Sequence, residues 1–93
     1  MRVIDGRQVT AARALVGMSV AELAIAAQVT PRTVARIEIG GAISIWTKRR
    51  HGHVAKSTFD KIEAALHHRG VELVPETEHQ GAGARWTLPR DQR

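Results

Sequence analysis

Two helix start signals lie close together near the middle of the chain, and they constrain its fold more than any other feature. Ser19 and Glu22 have the spacing of a capping box, in which each side chain accepts the other residue's backbone N–H. Thr30 followed by Pro31 is a second start, because Thr caps a helix and Pro suits its first position. Gly40 then ends the second helix. The sequence therefore predicts two short helices joined by a tight turn.

The apolar pattern supports the second of these helices. Val34 and Ile37 form a stripe at helical spacing, whereas Arg32, Thr33 and Arg36 point away from it. Two short helices with a turn of about three residues between them are the local signature of a helix-turn-helix.

Helical patterns also occupy the flanking segments. Residues 9–16 are helix formers, with Asp5 as a possible N-cap and Gly17 suited to the left-handed residue that ends a helix. Ser57 is expected to cap a further helix that Gly70 ends. Its apolar face consists of Phe59, Ile62, Ala65 and Leu66.

A loop and a hairpin are predicted for the rest of the chain. Residues 40–56 show no helical period and are expected to form an exposed basic loop, with a short extended stretch at residues 42–46. Alternation over residues 71–74 and 85–88 predicts two strands paired as a hairpin. An isolated two-stranded hairpin is marginally stable in water, so it should pack on the helices or against a second subunit.

Composition narrows the classes of function. The chain has 14 Lys and Arg against 9 Asp and Glu, a formal net charge of +5, which favours an anionic partner such as nucleic acid or an acidic membrane surface. The alternative is that the charge serves solubility alone. It has no Cys, which excludes disulfides and thiolate metal sites. No apolar run is long enough to cross a membrane and no secretory signal is recognisable, so we expect a cytoplasmic protein without a membrane partner.

The segment from Ser19 to Gly40 resembles the phage lambda repressor and Cro family of helix-turn-helix regulators. The family pattern is a capping Ser or Thr, then Glu-Leu-Ala, a Val-Ser/Thr turn and an Ile/Leu-Glu-x-Gly ending. The matching residues are Glu22-Leu23-Ala24, Val29-Thr30 and Ile37-Glu38-Ile39-Gly40. The resemblance implies a mainly α fold, with a four- to five-helix Cro/repressor-like domain at residues 1–70 and a C-terminal β-hairpin and tail at residues 71–93.

The chain departs from the family pattern in three places. Gln28 stands where the turn usually has Gly, at a position that takes a positive φ. Val20 stands where the family often has a Gln that bonds a DNA phosphate, and the insert at residues 43–56 is longer than usual.

The resemblance also implies that the second helix of the motif presents its N-terminal half to DNA bases. The expected base contacts are Pro31, Arg32, Thr33 and Arg36. Arg32 and Arg36 are one helical turn apart, and each guanidinium can donate two hydrogen bonds to a guanine. The alternative for both arginines is a solvated helix face.

Phosphate contacts are expected on either side of that helix. The residues are Ser19, Thr30, Lys48, Arg49 and Arg50. The hydroxyls lie at helix starts, where backbone N–H groups also favour anions. The basic run could instead be a solvated loop. The resemblance further implies a structural ion pair between Arg13 and Glu38, which joins the first helix to the end of the second motif helix.

The expected function is a sequence-specific transcriptional regulator, by default a repressor, that binds a palindromic operator as a homodimer. Residues 71–88, from Val71 to Leu88, are the candidate dimer contact. The alternative is an antitoxin- or antiactivator-like module that neutralises a partner protein and can also bind DNA.

Catalysis and cofactor binding are not expected. The chain has no recognisable nucleophile–base pair, phosphate loop or metal constellation. The adjacent residues His67 and His68 point about 100° apart on a helix and make a poor chelate. His51 and His53 alternate in the predicted loop without carboxylates at zinc-site spacing.

Overall fold

A computed structural model describes residues 2–46 and 54–93 of the chain. These residues are mainly helical, with a three-stranded sheet that includes the N-terminal strand and a two-stranded antiparallel sheet near the C-terminus. The helices are α1 (Arg7–Val16), α2 (Val20–Ala27), α3 (Pro31–Ile39) and α4 (Lys56–His68). The strands are β1 (Arg2–Asp5), β2 (Ala42–Trp46), β3 (Val54–Ala55), β4 (Val71–Val74) and β5 (Gly83–Trp86). A short 3-10 helix follows at Arg90–Gln92.

The helix ends depend on residues that tolerate unusual backbone angles. Gly17 ends α1 with φ 69°, and Gln28 ends α2 with φ 58°, which confirms a positive φ at both positions. The N-cap of α1 is Gly6 and not Asp5, because Asp5 is still paired with β2 as the last residue of β1. The Asp5 carboxylate nevertheless accepts the backbone N–H of Arg7 at 2.9 Å.

The core lies between the four helices and is closed by the C-terminal strands. Helix α2 packs against α3 and α4, and α1 packs against α3. The largest fully buried side chains are Phe59, Leu23, Ile37, Ile62, Leu66, Val9, Val34 and Val71. The predicted apolar face of α4 is buried as expected, because all four of its residues belong to this core.

The N-terminal strand was not predicted, and it changes the interpretation of residues 40–56. Strand β1 pairs antiparallel with β2, whose bounds match the predicted extended stretch, and β2 pairs parallel with β3. The described parts of residues 40–56 therefore include two strands and the first residue of α4, whereas the sequence predicted mainly an exposed loop. Helix α4 begins at Lys56 after Ala55, so the prediction that Ser57 is its cap is wrong. Pairing with β2 keeps the chain extended through Ala55, and the helix starts directly afterwards.

The C-terminal hairpin packs on helices of its own chain. Strands β4 and β5 pair antiparallel, from Val71 opposite Trp86 to Val74 opposite Gly83, and both contact α1. Strand β5 begins and ends two residues earlier than predicted, although the Thr87 N–H still bonds the Gly70 carbonyl at 2.9 Å. The inward side chain of Val71 is fully buried.

No helix of the described residues is long and apolar enough by itself to cross a membrane. Helices α1 and α2 pass a length and composition test only as a pair, and they are bent by 96° at their junction.

Candidate nucleic-acid interface

The start of α3 is built by the Thr30 cap. The Thr30 hydroxyl oxygen accepts the Thr33 backbone N–H at 3.2 Å, and Pro31 occupies the first helical position. The two threonine hydroxyl oxygens lie 2.9 Å apart, so one hydroxyl donates to the other. Whichever residue donates, one hydroxyl proton remains for an outside acceptor. This end of α3 can therefore donate a hydrogen bond to an anion such as a phosphate oxygen.

One face of α3 is buried and the other is open. Val34 and Ile37 are 0% and 1% exposed, whereas Arg32 and Arg36 are exposed. Within residues 2–46 and 54–93 no carboxylate forms a salt bridge with either guanidinium. Both arginines therefore offer unengaged donors on the same side of the helix.

The other two predicted base contacts lie differently. Pro31 is exposed at the tip of α3. Thr33 is half-buried, and both its N–H and its hydroxyl are engaged with Thr30. Its geometry places Thr33 with the capping group, beside Arg32 and not at the centre of the exposed face.

Two residues of the exposed face were missed from the sequence. Ala35 and Ile39 are exposed and follow Arg32 at intervals of three and seven residues, which places them on the same face. Ile39 is 84% exposed. Helical periodicity could have identified both residues, because the spacing that predicts the buried stripe of α3 also defines its opposite face.

The start of α2 carries the predicted capping box. The Ser19 hydroxyl oxygen accepts the Glu22 N–H at 3.0 Å, and the Glu22 carboxylate accepts the Ser19 N–H at 2.9 Å. These bonds from Ser19 lower the pKa of Glu22. Because the Ser19 hydroxyl acts as an acceptor here, its proton can still be donated outward. Val20, the next residue, is half-buried against the core.

The end of α3 is fixed to α1 by an ion pair that is largely shielded from solvent. Arg13 Nε and Nη2 donate to the two carboxylate oxygens of Glu38, each at 2.7 Å. A third donor, Nη1, reaches the Met18 carbonyl at 2.8 Å, and the Thr10 hydroxyl donates to Glu38 at 2.8 Å. The Arg13 and Glu38 side chains are 17% and 8% exposed. We call this group, formed by Arg13, Glu38, Thr10 and the Met18 carbonyl, the α1–α3 clamp.

The clamp holds both charges in their ionised forms. Burial favours the neutral form of Glu38, but hydrogen bonds from Arg13 and Thr10 outweigh it, so the pKa of Glu38 is lowered. The hydrogen bond to Glu38 raises the pKa of Arg13. A bidentate, well-satisfied pair of this kind fixes orientation, since removing one partner leaves the other buried and unpaired. Its role here is to set the position of α3.

A glycine brings the N-terminal segment against the same end of α3. A side chain at Gly6 would collide with the carbonyl group of Ile37, so only Gly allows this approach. The Gly6 N–H donates to the Gly41 carbonyl at 2.7 Å. Together with the clamp, this contact positions α3 from behind, and sequence reasoning did not identify it.

The remaining predicted phosphate contacts, Lys48, Arg49 and Arg50, lie outside the described residues, as do His51 and His53. His67 and His68 are exposed at the end of α4. Among the residues that the structure describes, no group of three or more His, Asp or Glu is arranged to hold a metal ion.

Comparison with models of known protein families gives no match, and comparison with curated proteins gives none either.

Proposed function

We propose that this chain is a sequence-specific DNA-binding transcriptional regulator of the Cro/repressor-like type. In this proposal α2, the turn at residues 28–30 and α3 form a helix-turn-helix, and α3 enters the major groove. The observation that carries the proposal is the exposed face of α3, where Arg32 and Arg36 have no acidic partner in the described part of the chain. The α1–α3 clamp joins the end of α3 to α1 behind this face.

The chemistry of this face suits guanine. Each guanidinium can donate two hydrogen bonds to O6 and N7 of one guanine, and such a pair contributes about 1–3 kcal/mol of discrimination against the wrong base. Pro31, at the tip of α3, has an apolar ring but no N–H, so it can contact a base only through that ring.

Phosphate contacts would add affinity without sequence information. The hydroxyl protons at Ser19 and at the Thr30 cap that are not used within the caps could be donated to phosphate oxygens beside α3. Lys48, Arg49 and Arg50 would add cationic contacts, which release counterions and make binding salt-dependent. The net charge of +5 agrees with such a partner.

We further propose that the regulator binds a palindromic operator as a homodimer and represses by occluding a promoter in the cytoplasm of a bacterial or phage-infected cell. Two copies of α3 would read half-sites about 34–36 Å apart. The hairpin of residues 71–88 is the candidate contact. Its inner face already packs on α1, so a second copy would meet the outer face, which carries the Glu72–Arg85 pair and leads to Leu88.

The alternative, a module that neutralises a partner protein, would be favoured by a large exposed apolar patch on the hairpin. Val71 and Leu73 instead belong to the core, at 0% and 7% exposed. The hairpin therefore gives this alternative no specific support, and the exposed arginines of α3 favour DNA binding.

The test is a selection of duplexes from a random pool, followed by Kd measurements on the selected and a scrambled duplex at two salt concentrations. Arg32→Ala and Arg36→Ala should each reduce the preference for the selected duplex about tenfold or more. The matched control is Arg90→Ala, an equal charge change at an exposed site remote in sequence from α3, which should keep the preference. If both α3 variants remain as selective as the parent, the assignment of α3 is wrong.

A second measurement separates affinity from selectivity. A variant with Lys48→Ala, Arg49→Ala and Arg50→Ala should bind all duplexes more weakly and show a flatter salt dependence, without losing preference. Sedimentation should give a dimer, at least with DNA, and a strict monomer under both conditions would contradict the homodimer.

A further inference from the structure

The exposed face of α3 combines cations with apolar groups and has no negative charge. Arg32, Ala35, Arg36 and Ile39 lie on this face. The acidic residue of α3, Glu38, is turned inward and neutralised by Arg13. The charge of this face therefore favours a polyanion as its partner over an apolar protein surface without acidic residues.

Ile39 is the unexplained member of this face. Its 84% exposure is the largest among the exposed large apolar residues of the described chain, followed by 79% for Ile25. Burying an exposed isoleucine is favourable only where the partner also presents apolar surface. The major groove presents mostly hydrogen-bonding groups, and its apolar group is the C5-methyl of thymine.

We propose that Ile39, assisted by Ala35, contacts thymine C5-methyl groups in the half-site whose guanines the two arginines read. This inference rests on the proposed DNA-binding function and adds a specificity determinant to it. The rise of an α-helix places Arg32 and Ile39 about 10 Å apart along α3. Along the duplex axis this distance spans at most about three base steps of 3.4 Å, because α3 would lie in the groove and not parallel to that axis. The half-site should therefore hold a thymine within about three base pairs of a guanine contacted by arginine.

Deoxyuridine provides the sharpest test, because it differs from thymidine in the duplex only by the missing methyl group. Each thymine of the selected half-site is replaced in turn by deoxyuridine, and Kd is measured by fluorescence anisotropy. For the parent protein at least one replacement should weaken binding about fourfold, the value of one buried methyl-sized group. That position should lie within about three base pairs of the guanine that Arg32 contacts. This guanine is identified as the one whose replacement weakens binding of the parent but not of Arg32→Ala.

Two variants assign the effect to a residue. Ile39→Ala should bind thymine and deoxyuridine duplexes equally at that position and still prefer the selected guanines. Ile25→Ala is the matched control, because it removes an isoleucine of similar exposure from α2 and should keep the fourfold difference.

The outcomes separate this inference from the proposed function. If a specific duplex is selected but no deoxyuridine replacement weakens binding, methyl recognition is refuted while DNA binding stands. If Ile39→Ala keeps the parent's discrimination, Ile39 is not the residue responsible. If no sequence is selected at all, the proposed function fails and this inference fails with it.

Discussion

Helix α1 is joined to α3 and to the C-terminal hairpin by two different kinds of polar contact. Near its end, Arg13 forms a charged, bidentate pair with Glu38 of α3. Near its start, the neutral side chain of Gln8 is 5% exposed and its amide nitrogen donates to the carbonyls of Val74 and Gly83 in the hairpin, at 2.9 and 3.0 Å. The Gln8 carbonyl oxygen accepts the Asp5 N–H at 2.9 Å.

The two contacts should respond differently to mutation and to pH. The charged contact resists rotation of α3 strongly, but it depends on both partners being ionised. The neutral contact joins β1, α1 and the hairpin and does not titrate. We therefore expect the α3 side to be the more sensitive to mutation and to pH, and the hairpin side to be sensitive only to loss of the amide.

The largest effect is expected from breaking the clamp. Glu38→Ala or Arg13→Ala leaves one largely buried charge without its ionic partner and should lower the free energy of unfolding by about 3 kcal/mol. Urea denaturation measures the loss. Arg7→Ala is the control, since Arg7 also pairs with a carboxylate but its side chain is 81% exposed, and it should cost little. A double Arg13→Ala/Glu38→Ala variant should lose less than the sum of the single losses.

A smaller effect is expected at the hairpin. Gln8→Ala removes three hydrogen bonds from a buried site and should lower the free energy of unfolding by about 2 kcal/mol. Amide hydrogen exchange should become faster in β4 and β5 than in the parent, and its rate in α3 should change less. The exposed residue Gln80 gives the control, and Gln80→Ala should change neither quantity. If exchange in α3 accelerated as much as in the hairpin, the α1–α3 and α1–hairpin contacts would not be independent.

The pH dependence should follow the clamp and not the Gln8 contact. The folded-state pKa of Glu38 is lowered below its ordinary value of 4.5, so its stabilising contribution is fully present above that pH. It is lost as pH falls through the folded-state pKa. Stability measured from pH 7 down to pH 3 should fall in the parent and fall less in Glu38→Gln, whereas Gln8→Ala should keep the parent's slope.

The smallest effect concerns the turn between α2 and α3. Gln28 adopts φ 58°, which costs a non-glycine residue conformational energy. Gln28→Gly relieves this cost, although Gly also makes the unfolded chain more flexible, which opposes folding. The net result should be a free energy of unfolding raised by about 0.5 kcal/mol. Ala26→Gly, in the exposed part of α2, should lower it by about 1 kcal/mol, and thermal unfolding of the two variants should show opposite shifts.

Features that depend only on neighbouring residues could be predicted from the sequence. The Ser19–Glu22 box and the Thr30–Pro31 start are set within one helical turn, where a side chain and the backbone it bonds are fixed by spacing alone. The positive φ of Gln28 was expected only from the resemblance to the repressor family. The open face of α3 follows from the same periodicity, although Ala35 and Ile39 were overlooked.

Contacts between distant segments became visible only in the folded chain. Strand β1 needs β2 as its partner, Gln8 needs carbonyls more than sixty residues away, and Gly6 is required only because α3 ends against it. The start of α4 at Lys56 is likewise set by the β2–β3 pairing, which overrides the local cap at Ser57. Local spacing carries no information about such partners, because a hydrogen bond or a close backbone contact depends on where the chain returns in space.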